Sequence, residues 1–214
     1  MNQVYYVGVL AEKIGHDGAD IERAINKIGH GLHMKDTVFE KITFDEKVQA
    51  IARDLGFQDP RVLQSMLIFK NPVSSESSAP LGFWFALEDC TKDNGCLSYN
   101  PGTHKTVPVT KRFVKVDQGA EGCNFIPVEH GEVTQVDKEE DYKPVECKAG
   151  SLILIHNSVL HKSEKNHSDK SRYAYAFHVI DGTAEYDNLN WLQVPPCKEG
   201  GTEFSKLFEG PVLA

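Results

Sequence analysis

The sequence lacks the features typical of membrane proteins, nucleic-acid binders and zinc proteins. No apolar run approaches the roughly 18 residues of a membrane span. The formal net charge is −8 and the basic residues are scattered, whereas nucleic-acid binders gather lysine and arginine on one face. The five cysteines form no C-x-x-C pair, so zinc is not indicated. We therefore expect a small-molecule substrate, whose identity the sequence does not give, and neither nucleic acid nor a membrane as a partner.

The two ends of the sequence show no targeting signal of the common kinds. Residues 1–13 lack the basic start and long apolar centre of a signal peptide. The last residues, GPVLA, are not a peroxisomal Ser-Lys-Leu address. Because unpaired cysteines also suit a reducing compartment, we expect a cytoplasmic protein. The length of 214 residues predicts a single domain over 1–214, with a helical part (15–57), a β-rich body (61–194) and a C-terminal tail (195–214).

Helical periodicity marks the first third of the chain. One apolar stripe is made by five residues at helical spacing, and it predicts a helix: Ile21, Ala24, Ile25, Ile28 and Leu32. A second helix is predicted in residues 43–56. There Thr43 and Glu46 have the spacing of a capping box, and Gly56 supplies the stop. The fold is therefore expected to open with N-terminal helices.

From residue 61 onward the apolar period changes to two, which is typical of strands. About eight short strands are predicted and no further helix, so the fold class is α+β with a jelly-roll or barrel body. The clearest alternation lies in RYAYAFHVI, residues 172–180. Arg172 shares one face of this strand with Ala174, Ala176 and His178, and aromatic residues occupy the other. The two alanines leave room for a ligand cavity on the Arg172 face.

Three polar residues are expected to meet at one end of this body. His161 lies just past an apolar strand, Ser163 is two residues further on, and Arg172 opens the next strand. A hairpin would bring them together, with a nitrogen for a metal and a guanidinium for a carboxylate. Spacing alone does not separate this interpretation from an ordinary structural histidine and an arginine paired within its own protein.

Four blocks of the chain, in this order, resemble the phytanoyl-CoA dioxygenase family: INKIGHGLH, LQSMLIFK, GFWFALEDCTKDNGCLSYNPGTHK and GSLILIHNSVLHKSEKNHSDKSRYAYAFH. The resemblance implies a double-stranded β-helix (jelly-roll, cupin-like) oxygenase that uses Fe(II) and 2-oxoglutarate. It also implies that His161 is the distal iron ligand and Arg172 the clamp on the oxoglutarate carboxylate. Four further residues would line the co-substrate pocket: Lys27, Met66, Trp84 and Ser163. Without the resemblance, Lys27 is a solvated charge, Met66 and Trp84 are core residues, and Ser163 is a loop residue.

The family's first pair of iron ligands, His-x-Asp, has no counterpart where the resemblance places it. The corresponding interval, NPVSSESSAPLG at residues 71–82, contains no histidine and no aspartate. Two His-x-acid matches occur elsewhere, at 130–132 and 167–169, and about one such match is expected by chance. Two of three ligands are therefore missing. We expect a β-helix incomplete by one strand, impaired binding of Fe(II) and 2-oxoglutarate, and a chain that also starts late relative to the family, as a splice form or truncated gene model would.

Three functions stay open at this point. The first is an active dioxygenase that hydroxylates a small organic or acyl substrate. The second is a catalytically impaired form that acts as a binding or regulatory scaffold. The third is an α+β domain whose histidine and arginine are structural.

Overall fold

The computed structural model describes residues 6–9, 25–70, 81–116, 122–128, 138–193 and 204–210. Predictions that fall on other residues lie outside this set. They include most of the interval 71–82, the match at 130–132 and the first residues of the proposed N-terminal stripe. Among the helices in the described ranges, none has the length and apolar content needed to cross a membrane.

The described residues form short helices and many strands. The helices are α1 (Leu32–Lys35), α2 (Thr37–Thr43), α3 (Glu46–Asp54) and α4 (Thr103–Thr106), and Glu139–Asp141 forms a 3-10 turn. The first six strands are β1 (Tyr6–Val9), β2 (Ile25–His30), β3 (Pro60–Lys70), β4 (Leu81–Ala86), β5 (Leu97–Tyr99) and β6 (Lys111–Lys115). The others are β7 (Cys123–Pro127), β8 (Lys143–Val145), β9 (Leu152–Ile155), β10 (His161–Ser163), β11 (Arg172–Asp181) and β12 (Ser205–Lys206).

Two antiparallel sheets make the body of the fold. The major sheet has the order β1-β2-β3-β11-β4-β9, and β12 also pairs with β3. The minor sheet has the order β10-β5-β8, and β6 and β7 form a separate hairpin. Because β11 lies between β3 and β4, the chain crosses between sheets rather than meandering, as in a jelly roll. The predicted jelly-roll body is confirmed, whereas the predicted missing strand falls on residues outside the described set.

The major sheet buries a different cluster on each face. One cluster packs the sheet against the helices, around Phe83, Tyr175, Phe177, Val48 and Leu207. The other lies on the face toward the minor sheet and includes nine buried residues: Met66, Ile68, Trp84, Ala86, Cys90, Cys96, Leu97, Ala174 and Ala176. The alternation predicted for residues 172–178 is therefore correct, and it assigns Arg172 to the side of the minor sheet.

The helix predicted around residues 21–32 is wrong in its described part. Residues 25–30 form strand β2, which pairs with β1 and with β3. Gly29 and Gly31 each lower helix propensity by about 1 kcal/mol, and the edge of β3 offers backbone partners instead. Ile25 and Ile28 have helical spacing by coincidence. Pairing with β1 and β3 outweighs this weak local preference and makes the segment a strand.

The second predicted helix exists, but its cap differs. Asp45, not Thr43, caps α3, and its side chain accepts a hydrogen bond from the Lys47 amide at 2.9 Å. Thr43 instead ends α2 and donates to the Phe39 carbonyl at 2.7 Å. Gly56 ends the helical segment with a φ of +83°, as predicted.

Two further differences concern the body and the tail. The Pro-Gly turn at residues 101–102 leads into the short helix α4, although no helix was predicted in the body. The tail contributes β12 to the major sheet and fully buries Leu207. The tail is therefore part of the packed core, and the division at residue 195 stays a prediction.

Candidate functional site

The site face of β11 is built from cross-strand rows. Ala176 lies opposite Met66 on β3 and opposite Trp84 on β4. Met66 is in turn paired with Gly29 of β2. All three side chains of the row are buried. The register therefore brings the predicted pocket residues Met66 and Trp84 to the two sides of Ala176, and their roles stay predictions.

Arg172 is a buried cation held by neutral groups. It is 2% exposed, and its Nη2 donates to the Gly95 carbonyl at 3.0 Å and to Ser163 Oγ at 3.4 Å. Its Nε faces the Asn94 carbonyl at 3.4 Å, and the guanidinium carbon lies 5.2 Å from the centre of the Trp84 ring. Within the described residues, Nη1 is buried without a hydrogen-bond partner. Burying a charge is costly unless it is paired, so this end of the guanidinium can accept an anionic ligand.

A glycine is required in the loop that holds Arg172. Gly95 has a φ of +72°, a conformation that side chains rarely adopt. A Cβ there would also approach the Glu164 carbonyl oxygen to 2.5 Å. The Gly95 carbonyl accepts from Arg172 and, at 2.8 Å, from Ser163 Oγ. Ser163 and Arg172 thus share an acceptor, which explains how two consecutive strands bring them together.

Lys70 places a second cation close to the same loop. It is fully buried, and its Nζ donates to the Ser163 carbonyl at 3.1 Å. Its Cε lies 3.1 Å from where a Gly95 Cβ would be. The Lys70 carbonyl accepts a hydrogen bond from Asn166 Nδ2 at 2.8 Å. The end of β3 is therefore tied to β10 and to the loop before β11.

His161 lies on β10, two residues before Ser163, as predicted. Its Nδ1 is 2.9 Å from the Val159 carbonyl, and its backbone pairs with Tyr99. A donor bond from Nδ1 leaves Nε2 as the nitrogen able to bind a metal. Across the described ranges, however, no group of three or more His, Cys, Asp or Glu side chains is placed to hold a metal ion. His161 therefore supplies one of the three donors that a facial triad needs.

The sequence analysis missed a chain of polar side chains on the same face. His30 Nδ1 is 2.6 Å from Gln64 Oε1, and Gln64 Nε2 is 3.1 Å from His178 Nδ1. Burial lowers the pKa of His178 to about 4, and the nearby charges of His161, His30 and Lys27 lower it further. Burial also lowers the pKa of His30, and the hydrogen bond that its ring donates to Gln64 Oε1 opposes this shift. His178 could have been found from its shared strand face with Arg172, whereas Gln64 carries no sequence signal.

Lys27 lies farther in strand order from β11 than the predicted pocket residues Met66 and Trp84. It lies on β2 opposite Ile68, one strand beyond β3, and is half-buried. Its charge lowers the pKa of His178, and it lies two strands away from β11, which carries Arg172. A cleft of about 270 Å³ is lined partly by Lys92, Ser98 and Tyr142, and it includes neither His161 nor Arg172. The cleft borders the candidate site through Cys96 and Glu164, which adjoin Gly95 and Ser163 in the chain.

Comparisons with known proteins agree on one family. The family description "Phytanoyl-CoA dioxygenase (PhyH)" matches residues 9–174. "Phytanoyl-CoA dioxygenase domain-containing protein 1" of Bos taurus is 41% identical over 192 residues, covering 82% of this chain and 64% of that protein. The homolog of Caenorhabditis elegans is 40% identical over 191 residues, covering 80% of this chain and 65% of that protein. This chain thus spans just under two thirds of the length of these relatives.

Solved structures support the same fold at low sequence identity. The epimerase SnoN, solved with Fe3+, alpha ketoglutarate and nogalamycin RO, has a TM-score of 0.60 at 17% identity, over 86% of this chain and 79% of that one. EctD from S. alaskensis, solved with bound Fe, has a TM-score of 0.52 at 18% identity, over 79% of this chain and 61% of that one. At these identities the similarity shows a shared fold.

Proposed function

Because the chain belongs to the phytanoyl-CoA dioxygenase family, we propose that it is an impaired Fe(II)/2-oxoglutarate-dependent dioxygenase that keeps the carboxylate clamp and lacks oxygen activation. The observation that carries the proposal is the buried Nη1 of Arg172, which has no hydrogen-bond partner among the described residues. In this family's chemistry, bound iron supplies the activation of oxygen. The residues of this chain supply the means to hold a carboxylate.

The carboxylate end of the site fits 2-oxoglutarate. The Arg172 guanidinium is fixed by backbone carbonyls and by Ser163, so one edge is held while Nη1 stays available. The ring of Trp84 beside it excludes water and favours the cation. Because the surroundings are buried and no acidic side chain is bonded to Arg172 in the described residues, a carboxylate would gain a charge-assisted hydrogen bond there.

The side chains around His161 do not supply the donors that iron needs. His161 supplies one nitrogen, and residues 71–80, where the family's His-x-Asp pair belongs, contain only Glu76 as an acidic residue and no histidine. No substitute group of ligands occurs among the described side chains. His178 and Gln64, which lie on the same face, are bonded to each other. We therefore assign no step of a reaction to iron in this chain.

The free energy available from the Arg172 contact favours weak binding of 2-oxoglutarate without turnover. A charge-assisted hydrogen bond contributes about 1.5–3 kcal/mol. Millimolar affinity corresponds to about 4 kcal/mol, so the clamp alone supports binding in the millimolar range or weaker. The metal contribution to 2-oxoglutarate affinity, which depends on chelation by its 2-oxo acid end, would be absent.

A pair of ligands tests this proposal directly. 2-Oxoglutarate and glutarate share the carboxylate that the clamp would hold, and only the first can chelate a metal. We expect both to bind with similar affinity by NMR titration and to be insensitive to added Mn(II). Arg172→Gln should abolish binding of both. The matched control is Arg112→Gln, since Arg112 pairs with Asp187 away from the site.

The alternative is an active dioxygenase acting on a small organic or acyl substrate. It is favoured by the placement of His161 and Arg172 on consecutive strands, β10 and β11. It requires conversion of 2-oxoglutarate to succinate with Fe(II), lost in His161→Ala. Such turnover, or at least tenfold tighter Fe(II)-dependent binding of 2-oxoglutarate than of glutarate, would overturn the proposal.

A further inference from the structure

Three thiols lie together beside the candidate site and take no part in the proposed function. Cys90 and Cys96 are buried, Cys147 is half-buried, and none of them is in a disulfide. Cys90 follows β4, and Cys147 lies between β8 and β9. The chain therefore brings thiols from two distant segments to one place.

Cys90 and Cys147 are directly opposed in an antiparallel bridge. The Cys90 amide donates to the Cys147 carbonyl at 2.7 Å, and the Cys147 amide donates to the Cys90 carbonyl at 3.0 Å. Residues in such a hydrogen-bonded pair have Cα atoms about 5.5 Å apart, within the roughly 4.4–6.8 Å that a disulfide spans. Their Cβ atoms, about 4.5–5.5 Å apart, must approach by about 1 Å for the bond to close. The Cys90 thiol donates to the Glu88 carbonyl at 3.4 Å, and Cys147 is close enough to help raise the pKa of Cys90.

Neighbouring contacts hold the two segments in register. The carboxylate of Asp89 accepts from Lys148 Nζ at 2.7 Å and from the Ala149 amide at 2.9 Å. On the other side, the Lys92 amide donates to Glu146 Oε1 at 2.9 Å. The two thiols are thus brought together before any bond forms between them, and little ordering remains to oppose a cross-link.

We propose that Cys90 and Cys147 form a redox pair that closes into a cross-strand disulfide on reaction with an oxidised low-molecular-weight disulfide of the glutathione class. Cys147, the more exposed thiol, loses its proton and attacks one sulfur of that disulfide, which releases one free thiol. Cys90 then loses its proton and attacks the Cys147 sulfur of the mixed disulfide, which releases the second. Two protein thiols are oxidised, one small disulfide is reduced, and the two protons end on the two released thiols.

The order of attack follows from burial. Burial raises the pKa of Cys90 to about 12, so little of its thiol is deprotonated near neutral pH and it is a poor first nucleophile. The nearby Arg172 guanidinium opposes that rise in the pKa of Cys90. Cys96 is also buried and close to Cys147, but it is not the residue opposite Cys147 in the bridge.

The test uses the native full chain and oxidised glutathione, followed by alkylation and mass spectrometry. The expected product has lost two hydrogen atoms, contains a peptide linking Cys90 to Cys147, and returns to the free thiols with dithiothreitol. Cys90→Ser should trap glutathione on Cys147, and Cys147→Ser should give no cross-link. The exposed Cys123 provides the control, because Cys123→Ser should leave the cross-link unchanged.

Two results would overturn the proposal. One is a mixed disulfide at Cys147 that persists in the wild type while Cys90 remains open to alkylation after unfolding. The other is a cross-link that survives Cys90→Ser and is lost in Cys96→Ser. A measurement on the wild type alone guards against a variant that fails to fold: oxidation should raise Tm by about 4 °C or more, reversibly. An unchanged or lower Tm would contradict the cross-link.

Discussion

The two faces of β11 show how one strand serves packing and function at once. On one face, Tyr175 and Phe177 are fully buried among apolar residues, and Phe177 stacks on Phe83 with ring centres 4.9 Å apart. On the other face, Arg172 and His178 are almost as buried, but their partners are carbonyl oxygens, a hydroxyl and an amide. The comparison shows that burial alone does not mark the core. Within the described residues each face buries a polar atom without a hydrogen-bond partner, His33 Nε2 on the core face and Arg172 Nη1 on the site face, and only the second carries a permanent charge.

The largest difference between the faces should appear when an aromatic residue is truncated. Phe177→Ala removes a fully buried ring, and we expect a loss of about 3–5 kcal/mol in the free energy of unfolding. Urea titration measures it. The control is Leu55→Ala, because Leu55 is 51% exposed and its truncation should change stability by less than about 0.5 kcal/mol. Equal effects of the two substitutions would contradict the placement of the core.

Acid should destabilise both faces through one buried histidine on each. Burial lowers the pKa of His33, which bonds Ser65 on the core face, and of His178 on the site face, each to about 4. An unfolded histidine titrates near 6.5, so the unfolded chain binds more protons between about pH 6.5 and 4. Their contribution to stability is complete above that window and is lost as pH falls through it.

Between pH 7 and pH 5.5 we therefore expect these two histidines to reduce the free energy of unfolding by roughly 2–3 kcal/mol in total. Urea titrations at the two pH values measure the loss. His178→Gln should remove about half of it, and the exposed His156→Gln should remove none. A loss that is the same in wild type and His178→Gln would show that His178 is not buried in its neutral form.

A matched pair of hydroxyl deletions compares polar contacts on the two faces. Ser163→Ala on the site face removes the bonds to the Gly95 carbonyl and to Arg172, one of them to a charged group, and should cost about 1.5 kcal/mol. Thermal unfolding measures the change. If Ser163→Ala is neutral, the buried guanidinium does not depend on this hydroxyl.

The smallest effect is expected from the corresponding change on the core face. Tyr175→Phe removes a hydroxyl that lies 2.6 Å from Thr43 Oγ1, but Thr43 keeps its bond to the Phe39 carbonyl. We expect a cost of about 0.5–1 kcal/mol by the same measurement. A larger cost than that of Ser163→Ala would reverse the proposed contrast between the faces.

Much of the body could be predicted from local pattern, and the reason is visible in β11. Its alternation is strict because each face packs against a different layer, so the sequence period reports the geometry. Strand β2 could not be predicted in the same way. It is stabilised by pairing with β1 and β3 on both sides, and its own residues carry a misleading helical spacing.

The contacts of the candidate site also fall into some that local sequence pattern could predict and others that it could not. The meeting of Ser163 and Arg172 was predicted from a hairpin, and the hairpin is wrong, because β10 and β11 lie in different sheets. The two side chains meet at the Gly95 carbonyl instead. The hydrogen bond of Gln64 to His178 joins residues 114 positions apart, and that of Lys70 to the Ser163 carbonyl joins residues 93 apart. Nothing in the local pattern of β3 distinguishes these two residues from other polar residues of a strand.

By itself, the sequence determined which side chains are available: His161 and Arg172 at the positions that the family resemblance assigns to the metal and to oxoglutarate, and no histidine or aspartate in residues 71–82. Only the tertiary structure decided that the Arg172 guanidinium is held by the backbone carbonyl of Gly95, 77 residues away, and that its Nη1 has no partner in the part of the chain that the structure describes. The physical reason is that every residue carries a carbonyl group, so the one that accepts a given donor is chosen by the path of the chain and not by residue type.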